Sequence, residues 1–554
     1  MGDLLRRSAA LLALFCAAPI FAQTPVDAGS LLKEMRDRDR ERPVESPPPV
    51  VSPVLRPPIR LPEGASIRVA RFRITGNQSI PSAELAPLVS SWEGKTLDVA
   101  GLNEAASAIT RYYQTRGFLL SYGYLPVQKI ENDVVEIAVL EGRIGGVQVV
   151  AAQDVRLDDD VVQQHIGGTD PGQPARQEDL ERRLLLLNDI PGIVARGAFT
   201  PGSQPGSSDL VVSVVEDEPL VNSFYVNNHG SNATGEPRLG AQFHLRDILG
   251  VGDSSRLNLS WSSRGAIASG GLSTRIPLGG DGLALSGGFS HLIYELDGAF
   301  ASLGARGEAN ALQAGLSYPL IRSLDRNLTV QADYDHKKLR DLVPIIGIET
   351  KKTSRAFTAS LNFDSRDGLL GGALSRASYA YQAGVLNLEA GASDPLRKAG
   401  AFAKSTIHLT REQILHANGQ FYARLLWQQA GKNLDSSEKF GLGGPSAVRA
   451  YGAGEASVDD GSLITVEYRY IQPLTGGTLT WRLFHDHGKG RIDHRPLAGT
   501  TDNIVTLKGS GFGVSWNTGG DLDLALTSAW RGARLPSVNG NREPRVFFQM
   551  IKGF

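Results

Sequence analysis

RVFFQMIKGF, residues 545–554, alternates along its length. Val546, Phe548 and Met550 fall on one side of an extended chain, and Phe547, Gln549 and Ile551 on the other, because successive strand side chains point to opposite faces. The segment reads as an aromatic-rich β-strand closed by Phe554. The same alternation recurs upstream in RLNLSWS (256–262), LTVQADY (328–334), FTASLNF (357–363) and ITVEYRY (464–470). Gly- and Asp-rich turns separate such runs, so residues 219–554 read as strand and turn throughout. At ~20 residues per strand with its connection, this stretch holds about 16 strands.

The other end of the chain addresses it for export. Arg6 and Arg7 precede an apolar stretch over residues 9–21, and Ala22 offers a small residue before a cut. Residues 1–22 therefore read as a secretory signal peptide. The single cysteine, Cys16, lies inside it, so the mature chain has no thiol for a disulfide, a nucleophile or a metal. A net charge of -1 gives no global field favouring nucleic acid. Beyond the signal peptide no apolar run reaches the ~18 residues a spanning helix needs. This does not exclude a membrane barrel, whose strands turn one face to lipid and the other to water; a soluble β-solenoid is the alternative, and the signal peptide and Phe554 argue against it. The alternation and the terminal Phe554 resemble a bacterial outer-membrane β-barrel, in which the final strand carries the assembly signal.

Between these ends lie four more segments. In residues 23–42, Leu31, Leu32 and Met35 sit at helical spacing among dense charge, and Arg38, Arg40 and Arg42 make the last turn basic. The segment reads either as a solvated arm or as a polar helix held in water inside a larger structure. Residues 43–65 hold eight prolines up to Pro62 and form neither helix nor central strand. As polyproline II, twenty such residues reach roughly 60 Å. That exceeds the roughly 25 Å apolar band of a barrel, so this linker can join elements on two sides of a membrane.

Residues 66–143 and 144–218 read as two copies of one βααββ unit. The first opens with a strand over 67–74. Helices follow over 82–92 and 99–116, the second with Leu102, Ala105, Ile109 and Tyr112 on one face. Gly117 then ends that helix as a left-handed cap, and strands follow over 119–126 and 134–140. The second copy places strands over 147–151, 193–199 and 210–215 around helices over 158–166 and 177–188. This duplicated unit resembles the POTRA domains of outer-membrane secretion and assembly barrels. Tyr113, Gly117 and Phe118, with Glu141-Gly142-Arg143-Ile144, match the first POTRA pattern. Leu187-Asn188-Asp189-Ile190-Pro191-Gly192 matches the second.

Two POTRA-like units before a barrel of about 16 strands resemble the TpsB transporters of two-partner secretion, across essentially the whole mature chain. Gly443-Gly444-Pro445-Ser446-Ala447-Val448-Arg449-Ala450-Tyr451-Gly452 resembles the signature of the long sixth extracellular loop, which in this family folds back into the lumen. Phe484-His485-Asp486-His487-Gly488 resembles its partner signature on the barrel wall. Alternation supports the pairing independently. Over residues 478–488, Leu479, Trp481 and Leu483 take the lipid phase and Thr480, Arg482, Phe484 and Asp486 the lumen phase. A guanidinium in a narrow lumen requires a carboxylate, so Arg449 and Asp486 form the expected lock between loop and wall, with Val448, Tyr451, Phe484 and Gly488 around it. The bland reading of the same pair is an architectural ion pair. Ala450 stands where the family usually has Gly, which would cost about 1 kcal/mol if the position needs a positive φ.

The resemblance implies a mostly β protein with a transmembrane antiparallel barrel, two POTRA domains in the periplasm and an N-terminal plug helix. It implies an outer-membrane pore that captures the N-terminal secretion domain of a large β-helical TpsA-type partner and exports it without ATP. Further partners would be outer-membrane lipids and, during biogenesis, the barrel-assembly machinery. A barrel-assembly insertase and a passive solute pore are the alternatives, and two POTRA units with a Pro-rich linker argue against both. No G-x-S-x-G, H-E-x-x-H or G-x-x-x-x-G-K-[ST] pattern occurs, so no enzyme, cofactor or metal is expected. His485 and His487 share a strand face without a third ligand in view.

Overall fold

The computed structural model describes residues 26–39, 51–52, 66–152, 155–167, 172, 174–204, 206–216, 220–262, 265–532 and 543–554. The signal peptide, most of the Pro-rich linker, Arg40 and Arg42 lie outside them.

Helix α1 (Ala28–Asp39) starts at Asp27, whose Oδ1 accepts a 2.9 Å bond from the Ser30 amide. Two small α+β units follow. In the first, the strand expected over 67–74 is two strands, Ser66–Val69 and Arg71–Thr75. At Ala70 the backbone changes partners and its amide bonds Asp133 O at 2.7 Å. Ser66–Val69 pairs with Lys95–Asp98, a strand between the helices that the sequence reading passed over because four residues carry too little periodicity. Arg71–Thr75 runs parallel to Val134–Leu140, which also pairs with Tyr122–Tyr124. Helix α2 (Val99–Thr115) buries Leu102, Ala105, Ile109 and Tyr113. Tyr112, expected on that face, is only half-buried, and its hydroxyl donates to Glu84 at 2.9 Å. Gly117 has φ 83° and turns the chain so that Phe118 joins the core.

The second unit packs helices Asp159–Ile166 and Gln177–Asn188 on strands Arg143–Ala151, Ile193–Pro201 and Ser207–Glu216. Asn188 is buried, but its side chain bonds Leu184 O and both backbone groups of Ala195, so no polar atom is stranded. Pro191 and Gly192 (φ 91°) then turn the chain into the next strand. The backbone of Val51–Ser52 adds a short parallel strand to the open edge of this sheet, pairing Val51 with Gly197.

Among the described residues, sixteen antiparallel strands close a barrel from Leu220–Asn227 to Arg545–Gly553. The seam pairs Ser223 with Gly553 and Asn227 with Gln549. At its foot the rings of Phe224 and Phe554 stack 4.9 Å apart. The two phases separate as the alternation requires. Trp261, Phe289, Leu312, Phe357, Trp481 and Leu483 lie exposed outside, while Asp335, Lys337, Thr465 and Asp486 are buried inside. The second unit docks on the barrel rim. Arg322 holds Asp189 in a two-pronged pair at 2.7 and 2.8 Å, and Glu181 accepts the Leu324 amide at 2.6 Å.

Glu141 shows what the first unit's sequence pattern does. Its carboxylate accepts from the Gln78 and Ser79 amides, the Ser79 hydroxyl and Tyr113 Oη, all at 2.7–2.8 Å. A Cβ at the neighbouring Gly142 would meet Leu120 O at 2.4 Å. Burial raises the Glu141 pKa, but the Ser79, Tyr113 and Gln78 donors outweigh it and hold it below the usual glutamate range. A depressed carboxylate stabilises the fold above its unfolded pKa and loses that contribution as pH falls through the folded value. Glu141→Gln should therefore destabilise the unit by about 1 kcal/mol at neutral pH and flatten its stability profile below about pH 4.5. Hydrogen exchange of residues 66–143 in the full chain measures both, and unchanged exchange would refute the role.

A candidate translocation gate

Between strands Gly419–Ala430 and Asp460–Leu474 the chain does not stay outside the barrel. Residues 431–459 fold into it, and Phe440–Gly441 pairs with Ser457–Val458 to form the stem. Further in, the Val448 amide bonds Leu442 O at 3.0 Å. Val448, Ala450 and Tyr451 are buried in one apolar cluster with Leu463, Phe484 and Leu507 of the wall.

Arg449 is the polar centre of this tip. Its Nε and Nη2 donate to the two oxygens of Asp486 at 2.9 and 2.8 Å, and its own amide adds a third bond at 3.1 Å. Nη1 donates to Glu467 at 2.6 Å. The guanidinium lies over the Phe484 ring with Cζ 3.5 Å from its centroid. Asp486 is 0% exposed and also accepts from Thr465 Oγ1 at 3.0 Å. The wall pattern thus has a reason at each position of one lumen phase: Phe484 supplies a face, Asp486 a fork acceptor, and Gly488 room. A Cβ at Gly488 would meet Val448 Cγ2 at 3.0 Å and one at Gly509 would meet Ala450 Cβ at 2.5 Å.

Glu467 was missed by the sequence reading, although its phase was legible. Thr465, Glu467 and Arg469 share the polar side of the alternating strand 464–470, and Arg469 donates to Glu467 at 2.9 Å. The expected cost at Ala450 does not arise, because Ala450 does not have positive φ. Tyr113, Gly117, Phe118, Pro191 and Gly192 lie in the two α+β units, as core and turn residues away from this centre. His485 faces outward and bonds Ser510 Oγ at 2.9 Å. Among the described residues no cluster is placed to hold a metal.

Helix α1 occupies the lumen beside the loop. Leu31, Leu32 and Met35 are buried against Leu292, Tyr294, Ala309 and Leu339 of the inner wall, so the helix is not a solvated arm. Polar contacts pin it. Arg36 pairs with Asp335 at 2.7 Å, and the Ala28 amide donates to Asp341 at 2.8 Å. Lys352 sits between Asp27 and the loop residue Asp435, 3.0 Å from each. Ser436 Oγ donates to Asp27 at 2.6 Å, and a Cβ at Gly29 would meet that same Oγ at 2.7 Å. Helix and loop are therefore in direct contact.

Residues 206–516 match the haemolysin secretion/activation protein family ShlB/FhaC/HecB, and residues 67–142 match its ShlB-type POTRA domain. The chain belongs to the ShlB/FhaC/HecB family. It is similar to the heme/hemopexin transporter protein HuxB of Haemophilus influenzae, 26% identical over 99% of this chain and 98% of that protein. It is also similar to the outer membrane transporter CdiB of Escherichia coli O6:K15:H31 (strain 536 / UPEC), 23% identical over 81% of this chain and 73% of that one. The fold matches the structure of CdiB from Escherichia coli with a TM-score of 0.72 at 19% identity, covering 97% and 100% of the two chains. As a member of the family, the protein is a TpsB-type outer-membrane transporter, a secretion pore of two-partner secretion.

The close approach of Ala450 to Gly509 gives a direct test of the seated tip. Gly509→Val should lift the loop and increase its cleavage by added protease. Ala450→Gly in the same chain should restore protection by removing the clashing methyl. Failure of the second change to suppress the first would mean that the two residues do not touch.

Proposed function

We propose that α1 and the loop tip together hold this secretion pore shut, and that a partner polypeptide opens it. The observation that carries the reading is the seat of α1 within the lumen, buried on one side, ion-paired to the wall and hydrogen-bonded to the loop. Burial of Leu31, Leu32 and Met35 contributes about 1.5–3 kcal/mol each. A hold of that order keeps the helix seated at rest, yet a tightly bound partner can displace it.

The remaining parts follow from this. The Pro-rich residues 43–65 lead from the lumen to the POTRA domains, which face the periplasm. Val51–Ser52 on the edge strand Ile193–Pro201 supports that path, and it supports capture by strand addition, since this edge accepts an extended chain. The occupant in transport is the N-terminal secretion domain of a large TpsA-type partner. Folding of that partner outside as a β-helix draws the chain outward without ATP. Arg449, with Asp486 and Glu467, is the lock that fixes the loop tip, and Val448, Tyr451, Phe484 and Gly488 seat it. The terminal strand ending in Phe554 presents the barrel to the assembly machinery, and the exposed apolar phase meets outer-membrane lipid.

Deleting residues 29–42 should raise single-channel conductance in planar bilayers, because a helix in a water-filled lumen obstructs ions. Unaltered conductance would remove the plug from the scheme. Arg449→Ala and Asp486→Ala should each reduce partner export severely at matched levels of folded barrel, and the double variant should be no worse than either single one. Additive losses would show that the two residues act separately, which the lock does not allow.

A further inference from the structure

Below the loop tip the lumen holds a cavity of about 700 Å³, bounded on one side by Arg449, Glu467 and Phe484 of the lock. Five guanidiniums line it, from Arg256, Arg424, Arg449, Arg469 and Arg482, against the single carboxylate of Glu467. That carboxylate is already taken by Arg449 and Arg469.

The remaining charge is poorly compensated by the protein. Arg256 makes no hydrogen bond or ion pair with any of the described residues, and its Nε is buried without a partner. The Oδ1 of Asn258, next on the same face, is likewise unbonded. The one hydrogen bond of Arg482 among the described residues goes to Ser515 Oγ at 2.9 Å. Arg482 and Arg469 are direct cross-strand partners, an arrangement of like charges that destabilises a sheet. A guanidinium is a planar fork whose natural acceptor is a carboxylate or another oxyanion. Several held in a confined space with few internal acceptors form a site complementary to an anionic chain.

We propose that this chamber binds carboxylate side chains of the polypeptide in transit, giving an acidic stretch a foothold between the POTRA domains and the loop tip. The proposal rests on the secretion reading and names the chemistry that the pore favours in its cargo. Two guanidiniums without carboxylate partners, Arg256 and Arg482, make the capture.

The probe is a fluorescein-labelled hexaglutamate peptide, followed by anisotropy on the detergent-purified full chain, with hexalysine and hexaserine carrying the same label. Hexaglutamate should bind at least tenfold more tightly than either control. The Arg256→Gln/Arg482→Gln variant, checked for an unchanged heat-modifiable shift, should weaken that binding at least fivefold. The Arg256→Lys/Arg482→Lys variant, which keeps the charge, should retain most of it. Equal binding of the three peptides overturns the proposal, as does an undiminished affinity in the Gln variant. Displacement of hexaglutamate by inorganic phosphate, under conditions where chloride at the same ionic strength leaves it bound, also overturns it, because that marks a small-anion site. The assay needs no partner protein, so its failure leaves the secretion reading standing. Failure of the secretion reading would appear instead as undiminished export of the partner by cells from which this protein has been removed.

Discussion

A guanidinium inside a barrel must find its counter-charges inside the barrel, and this requirement organises the centre of the molecule. Arg449 is brought there by a loop that leaves the barrel rim and turns inward. It is tolerated because Asp486 and Glu467 wait on two adjacent wall strands with their carboxylates aimed inward. The pair is not a surface decoration that salt would dissolve. Asp486 is fully buried, and separating it from Arg449 would leave a charge in a partly dry space. The loop is therefore either seated with its charges matched or displaced with both sides exposed to water. Intermediate positions are penalised, which is the behaviour needed of a latch.

Helix α1 follows the same logic. Lys352 is shared by Asp27, which belongs to the α1 segment, and Asp435, which belongs to the loop. Withdrawal of the helix takes one carboxylate away from that lysine and leaves Asp435 and, at 3.8 Å, the wall residue Asp341. Nearby, Glu438 of the loop is held by Lys337 and Lys404 of the wall at 2.6 and 2.9 Å. The loop thus keeps its own anchors when the helix leaves, while the helix loses a contact when the loop moves. Energetically the two elements are coupled through a shared cation and the direct Ser436–Asp27 hydrogen bond, and not through a shared hydrophobic core.

Charge compensation also separates the two halves of the lumen. Around α1 and the loop stem, lysines and carboxylates meet in shared clusters, Lys352 among Asp27, Asp435 and Asp341 and Glu438 between Lys337 and Lys404. Beneath the tip, arginines outnumber carboxylates and two of them lack acidic partners. A soluble core would not keep such a surplus, because folding has no use for it. In a passage the surplus is available to a passing chain.

Much of this architecture is legible in the sequence alone. A period of two, sustained over short runs with turns between, specifies strands with a wet face and a greasy face. An export signal and the lack of an apolar helix then leave a closed barrel as the arrangement that satisfies the backbone in lipid. The phase of residues 478–488 pointed Asp486 inward by geometry alone, and helical spacing marked Leu31, Leu32 and Met35 as one face. What the sequence by itself could not determine are the pairings that depend on closure. Glu467 meets Arg449 only because strands Asp460–Leu474 and Gly477–Arg491 pair in a register that sets Glu467 opposite Phe484. Lys352 meets Asp27 across more than three hundred residues of chain. Local periodicity carries the direction in which a side chain points, but the identity of its neighbour is set by strand register and by which element fills the lumen, and those are properties of the closed barrel as a whole.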